Sequence, residues 1–294
     1  MVKPKKSKST SPGHSPLDKL STAVEEVVAQ LAGGVAGSTE AQRARGRLEE
    51  IARTLASASE KLDSTRRPAS VFDPSNPALV GRFIALTMIA QDRVPLLTLE
   101  KFYGAGVYAI YYVGPFATYR AISRKEHPIY VGKADPTDDK AANAMQQGTK
   151  LWARLNEHKK SISKAPSLDL NDFECRFLVV ASGWQKAAEE YLIRLFRPIW
   201  NNEINLVFGI GKHGDAAETR GNKRSPWDTL HPGRAWAADG RLKDQKSVAQ
   251  IEKELAIHFS GASPYKSQRD IFSRFMAEMR QLPTISKAGD KNAK

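Results

Sequence analysis

The chain has 294 residues, with 45 Lys and Arg against 32 Asp and Glu, a formal net charge of +13 at pH 7. This length suits one sizeable domain or two small ones, and the charge favours a nucleic acid or an acidic membrane face as partner. Cys175 is the single cysteine, which excludes an internal disulfide framework and a cysteine-based zinc cluster. Residues 1–16 lack the apolar segment of a secretory signal, and the most apolar stretch, 78–90, is too short to span a bilayer. We therefore expect a soluble protein of the cytoplasm.

Composition divides the chain into four predicted regions. Residues 1–16 are rich in Lys, Ser and Pro and are predicted to be a disordered basic tail. Residues 17–95 form a helical N-terminal region, and residues 100–240 form a mixed core followed by basic loops. Residues 241–294 are predicted to be C-terminal helices and a polar tail.

Hydrophobic periodicity predicts the individual elements. Their order in the middle of the chain, β-β-α-β-α, indicates an α+β fold in which a small mixed sheet is flanked by helices. An N-terminal helical region and C-terminal helices are added to that core. The predicted helices are 17–32, 39–62, 78–91, 149–164, 184–197, 247–259 and 267–282, and the predicted strands are 106–113, 128–131 and 173–180.

Seven side chains in the mixed core have the chemistry that hydrolysis of a phosphodiester requires. Such a site must take a proton from water, neutralise charge on phosphorus and stabilise the leaving oxygen. A carboxylate can hold a hard divalent cation through oxygen, a cation can bind phosphate oxygens, and a tyrosine or histidine can accept a proton. The candidates are Tyr108, Tyr130, Lys133, Arg154, His158, Glu189 and Asn201.

Taken singly, each candidate has an ordinary structural interpretation. Tyr108 would be a core residue of a strand, and Arg154 and His158, one turn apart, would share a solvated helix face. Glu189 would be surface charge beside Glu190. Their joint order and spacing along the chain carry the functional hypothesis.

Gly-Val-Tyr at 106–108 and Tyr-Val-Gly at 130–132, followed by this order of residues, resemble the GIY-YIG nuclease superfamily. The stretch from 104 to about 236 carries the resemblance. Both motifs have Val in place of Ile, and 21 residues separate the two tyrosines, a long gap that is shared with restriction enzymes of the superfamily. The runs GAGVYAIYY, PIYVGKA, SLDLNDF, PIWN and HPGRAWA are most similar to type II restriction endonucleases that cut CCGCGG.

The resemblance implies one Mg²⁺ per active site, held by Glu189. Tyr108 would be the general base, with His158 relaying or accepting the proton. Alternatively His158 is the base itself, because an ordinary histidine pKa suits neutral pH. Tyr130 would position the water or a phosphate oxygen, Arg154 would stabilise charge in the transition state, and Lys133 would lie near the same phosphate.

The implied partner is double-stranded DNA. A palindromic target implies a homodimer in which each subunit cuts one strand, with pairing of dimers into a tetramer left open, and a cognate DNA methyltransferase would protect the host. Guanine edges are most often bound by Arg or Lys, although basic residues can contact phosphates instead. The candidate DNA-binding residues are Lys212, His213, Arg220, Lys223 and Arg224.

Two other functions are compatible with the sequence. One is a GIY-YIG repair or mobile-element nuclease, which would cut one strand or a structured junction. The other is a DNA-binding protein that kept the fold without its activity. The chemically suitable residues at all of the motif positions argue against such a loss of activity.

Overall fold

The computed structural model describes residues 15–34, 37–62, 65, 71–211, 223–238, 240–261 and 263–280. The helices are α1 (Pro16–Ala32), α2 (Ser38–Leu62), α3 (Pro77–Ile89), α4 (Ala144–Gln147), α5 (Lys150–Ser163), α6 (Gln185–Phe196), α7 (Pro226–Leu230), α8 (Val248–Gly261) and α9 (Gln268–Arg280). The strands are β1 (Val94–Pro95), β2 (Gly106–Tyr112), β3 (Tyr130–Ala134) and β4 (Phe173–Val179). Among the described helices, none combines the length and the apolar character that crossing a membrane requires.

The described residues divide into two compact units, one containing α1 and α2 and the other running from residue 71 to residue 280. In the first unit, apolar side chains recur at helical spacing but remain well exposed, as Leu48, Ile51 and Leu55 illustrate. All of the described candidate site residues lie in the second unit. The predicted disordered tail falls, up to residue 14, outside the described residues.

The sheet has the strand order β1-β4-β2-β3, and every neighbouring pair is antiparallel. The α+β class with flanking helices is confirmed, and the sheet is antiparallel rather than mixed. Strands β3 and β4, which are connected through α5, do run parallel to each other. Because β2 lies between them, their shared direction produces no parallel pair.

Strand β2 is buried along its whole length and supplies both faces of the core. Successive side chains of a strand point to opposite faces, so Tyr108, Ile110 and Tyr112 enter one apolar cluster together with α5. Val107, Ala109 and Tyr111 enter a second cluster, which contains side chains of α3 and α6. Helices α8 and α9 complete the first and the second cluster respectively. Two-sided burial explains why the sequence of β2 is apolar without alternation.

Strand β3 lies at one edge of the sheet, and both α5 and α6 contact it. Helix α6 ends where Arg197 adopts a left-handed conformation, with φ of 48°, directly before Pro198. Proline cannot continue the helix, so the chain turns there and passes along the outer side of β3. The candidate residues of α5, β3 and α6 therefore meet around this edge.

Candidate active site

Tyr108 and His158 form a buried pair on the α5 side of the sheet. The tyrosine hydroxyl lies 2.7 Å from Nε2 of the imidazole, and the two residues are 0% and 5% exposed. Tyr108 is paired in register with Gly132 of β3. A Cβ atom at position 132 would come within 2.5 Å of the Tyr108 hydroxyl, so the glycine of the second motif makes room for the tyrosine of the first.

Burial keeps both members of this pair neutral near pH 7. It raises the pKa of Tyr108 well above its ordinary value, an effect increased by Tyr130 and opposed by Arg154. It lowers the pKa of His158 to about 3, with a further contribution from the positive charge of Arg154. The expectation of an ordinary pKa for His158 is therefore wrong. A neutral imidazole that accepts a hydrogen bond from the phenol at Nε2 is the arrangement that fits this geometry.

Tyr130, Arg154 and Glu189 face two adjoining clefts beside the edge of β3. The clefts have volumes of about 500 Å³ and about 460 Å³, and all three residues line both of them. The ring centroid of Tyr130 lies 4.6 Å from that of His158 and 6.1 Å from that of Tyr108. Tyr130 therefore stands between the cleft and the buried pair.

The two cationic candidates lie at the cleft, and each is engaged by a nearby carboxylate. Nη1 of Arg154 donates to Oε2 of Glu157 at 2.7 Å, and the Arg154 side chain remains about half exposed. The ammonium of Lys133 is paired with Asp135. Because these partners are acidic and solvent-accessible, a phosphate could compete for either cation without leaving a buried charge unpaired.

Glu189 differs from the adjacent Glu190 in its burial. Glu190 is exposed, whereas Glu189 is partly buried at the cleft. Burial raises the pKa of Glu189 to about 7; Lys133 opposes that rise, and the nearby carboxylates of Glu203 and Asp135 add to it. A carboxylate in this position is destabilised by its surroundings and would gain from a bound cation.

The residues at the cleft fit a cation held by few protein ligands. The described residues contain no group of three or more His, Cys, Asp or Glu side chains that could hold a metal ion. Mg²⁺ commonly uses one or two carboxylates and completes its coordination with water and phosphate oxygens. Glu189 meets that requirement, because it lines an open cleft in which a phosphate could approach it.

Asn201 covers the free edge of β3. Its Oδ1 accepts a hydrogen bond from the backbone N–H of Val131, and its Nδ2 donates to the carbonyl of Val131, both at 2.9 Å. The side-chain amide thus replaces the missing neighbouring strand. Asn201 is 4% exposed, so this pairing takes place out of water, and it holds the end of α6 against the strands.

The candidate DNA-binding residues are only partly described. Lys212, His213 and Arg220 lie outside the described residues. Lys223 is exposed, and Arg224 is half-buried, with its Nε 2.8 Å from Oδ1 of Asp244. To bind a base or a phosphate, Arg224 would have to share or leave that ion pair.

Several contributors to the cleft have no signature in the sequence. Asp135 and Glu203 act on Glu189 through charge alone. Residues 208–211, within the basic loops predicted to follow the mixed core, form one wall of the larger cleft. The only hint of that wall is the glycine spacing of Phe-Gly-Ile-Gly, which also occurs in ordinary loops.

Comparison with known proteins gives a match to a family model. A family model described as the Eco29kI GIY-YIG domain matches residues 100–259, more than half of the chain. The matched stretch contains all seven candidate catalytic residues and begins after α3. No match is found among curated proteins.

We predict that Asn201→Ala lowers the free energy of unfolding by on the order of 1–3 kcal/mol, because it leaves the N–H and carbonyl of Val131 buried without a partner. Urea denaturation followed by far-ultraviolet circular dichroism measures this change. Asn202→Ala is the matched control, since Asn202 is exposed. Equal unfolding midpoints for the two variants would contradict the role given to Asn201.

We predict that Glu189→Gln stabilises the protein at pH 8 but not at pH 4.5, in buffers that contain EDTA. The folded-state pKa of about 7 exceeds the ordinary value of 4.5, so protonation of this carboxyl group stabilises the folded state. This stabilisation is complete only below pH 4.5. That contribution is lost as the pH rises towards 7. Melting temperatures of wild type, Glu189→Gln and Glu190→Gln across this range test the prediction, which fails if the Glu189→Gln difference is independent of pH.

Proposed function

The chain belongs to the Eco29kI GIY-YIG family of restriction endonucleases, and we propose that it is a Mg²⁺-dependent type II enzyme. In this proposal, it hydrolyses both strands of DNA at a GC-rich palindrome that resembles CCGCGG. One observation carries the proposal. Tyr130, Arg154 and Glu189 line one cleft in front of the buried Tyr108–His158 pair. The net charge of +13 suits a polyanionic substrate.

Glu189 would hold the Mg²⁺ ion. When bound, such a cation neutralises charge on the scissile phosphate and assists the leaving oxygen. Arg154 adds a positive charge at the same cleft and would bind a non-bridging oxygen as negative charge develops there. Lys133, which lines the smaller cleft, would contribute a second cation to the phosphate.

The proton of the attacking water would move towards the buried pair. Tyr130 lines the cleft and would orient the water. Tyr108 would accept the proton while it passes its own hydroxyl proton to Nε2 of His158, 2.7 Å away. A concerted transfer of this kind avoids a free phenolate, which the raised pKa of Tyr108 makes unfavourable. His158, with a pKa of about 3, would hold the extra proton only transiently.

A palindromic site implies two-fold symmetry, so the active form would be a homodimer with one active site for each strand. Lys212, His213, Arg220, Lys223 and Arg224 would supply contacts to guanine edges or phosphates. A cognate methyltransferase would modify the same site in the host. Light scattering with and without DNA would show whether these dimers pair into tetramers.

We predict discrete fragments from unmethylated plasmid and phage DNA in Mg²⁺, with sequenced ends at a single palindrome. Cleavage should be absent in EDTA. Glu189→Ala should lower the cleavage rate by more than roughly 100-fold, because the loss of a direct ligand should exceed the cost of losing an outer-sphere partner of a metal. Glu190→Ala, at an exposed position, is the control. Nicking without sequence preference would favour a repair or mobile-element nuclease. Tight DNA binding with no cleavage in any divalent metal would indicate a non-catalytic protein.

We also predict that the Mg²⁺ concentration for half-maximal cleavage rises about tenfold for each pH unit below 7. The cation requires the ionised carboxylate, and the pKa of Glu189 is about 7. Above pH 7 the requirement should level off. Cleavage rates measured against Mg²⁺ concentration from pH 5.5 to pH 8.5 test this, and a requirement that does not change with pH would exclude Glu189 as the ligand that limits binding.

A further inference from the structure

Residues 208–211 present their carbonyl groups to one side only. The carbonyl of Phe208 accepts a hydrogen bond from the backbone N–H of Trp227 at 3.1 Å. The carbonyl of Gly209 accepts from Nη2 of Arg234 at 2.8 Å, and that of Ile210 accepts from Nη1 of the same guanidinium at 2.9 Å. Three consecutive carbonyls thus point into the body of the protein.

Arg234 is a rigid anchor for this segment. Its Nε and Nη2 donate to the two carboxylate oxygens of Asp228, at 2.6 and 2.7 Å. The guanidinium lies over the ring of Trp227, 4.7 Å from its centroid, and Arg234 is 5% exposed. Ser225 donates to the same carboxylate. A planar fork held on several sides fixes the direction of the carbonyls that it binds.

The N–H groups of the same peptides must point the other way. No described peptide bond is cis, and in a planar trans peptide the C=O and N–H bonds are antiparallel. The N–H groups of Gly209, Ile210 and Gly211 are therefore directed away from Trp227 and Arg234. Among the described residues, none accepts a hydrogen bond from these three groups.

The residues that carry these donors line the larger cleft, as do Arg154 and Glu189. Gly211 is exposed, and a Cβ atom added there would meet nothing within 4 Å. The backbone at this position is therefore open to a ligand. Successive N–H groups on one side of a segment form a binding surface for anions, and backbone N–H groups commonly contact DNA phosphates.

We infer that the backbone N–H groups of residues 209–211 bind a phosphate of the DNA strand that occupies the cleft, with Arg234 as the residue that positions them. The inference rests on the proposed function and adds a substrate contact that no side chain makes. Because the donors are backbone groups held from behind by an ion pair, they would be oriented before the DNA arrives.

Gly211→Pro tests the inference, since proline removes the N–H of residue 211. The reference is Gly211→Ala, which adds carbon but retains the donor. We expect kcat/KM for cleavage to be roughly 10- to 100-fold lower for Gly211→Pro than for Gly211→Ala, the range for a hydrogen bond to a charged group. Equal values for the two variants, with wild-type DNA cleavage intact, would overturn the inference.

A chemical substitution in the DNA identifies the contact. A neutral methylphosphonate is placed at one phosphate at a time near the cut site. At the contacted phosphate, and nowhere else, the difference between Gly211→Pro and Gly211→Ala should disappear. A difference that persists at every position would show that proline acts through the fold, and would also overturn the inference.

Arg234→Lys provides a second test if Gly211→Pro melts much earlier than wild type. Lysine keeps the charge but loses the fork that holds two carbonyls. The decrease in kcat/KM that Arg234→Lys causes should vanish when the methylphosphonate stands at the same position. A decrease that persists with the methylphosphonate at every position would contradict the positioning role. If wild-type protein cleaves no DNA at all, the proposed function fails instead, so the two failures are distinguishable.

Discussion

The free edge of β3 is the constraint on which the arrangement of the site depends. An edge strand leaves backbone donors and acceptors open, and these must be covered or exposed to water. The amide of Asn201 pairs with Val131 at this edge, which brings the chain after α6 against the strand. Helices α5 and α6 both contact β3. Arg154 from one and Glu189 from the other thereby reach the same cleft.

Burial, more than the proximity of charges, sets the chemistry of the candidate groups. It is the largest influence on the pKa of Tyr108, His158 and Glu189. The direction differs with the charge of the ionised form, because burial disfavours any charge. The tyrosine and the histidine are held neutral, and the carboxylate is held near half-ionisation at neutral pH. A bound cation would therefore act mainly on the carboxylate.

The sequence predicts the helices and strands of the core to within a few residues, because their periodicity and the stop at Pro198 are local properties. It also predicts which residue types the site needs. The two-residue strand β1 is not predicted from the sequence, because so short a segment has no periodicity. The low pKa of His158 depends on burial under distant segments, and the wall at 208–211 depends on Arg234, more than twenty residues away along the chain. Neither relationship is visible in a linear pattern.

The Tyr108–His158 pair has a consequence for observing the protein in solution. Its bridging proton sits between two groups that are 0% and 5% exposed. Without bound substrate, such a proton exchanges with bulk water only when the surrounding structure opens. It would therefore give a separate, slowly exchanging resonance in a magnetic resonance spectrum. The exchange rate of that one signal would report how often the packing of α5 against the sheet loosens.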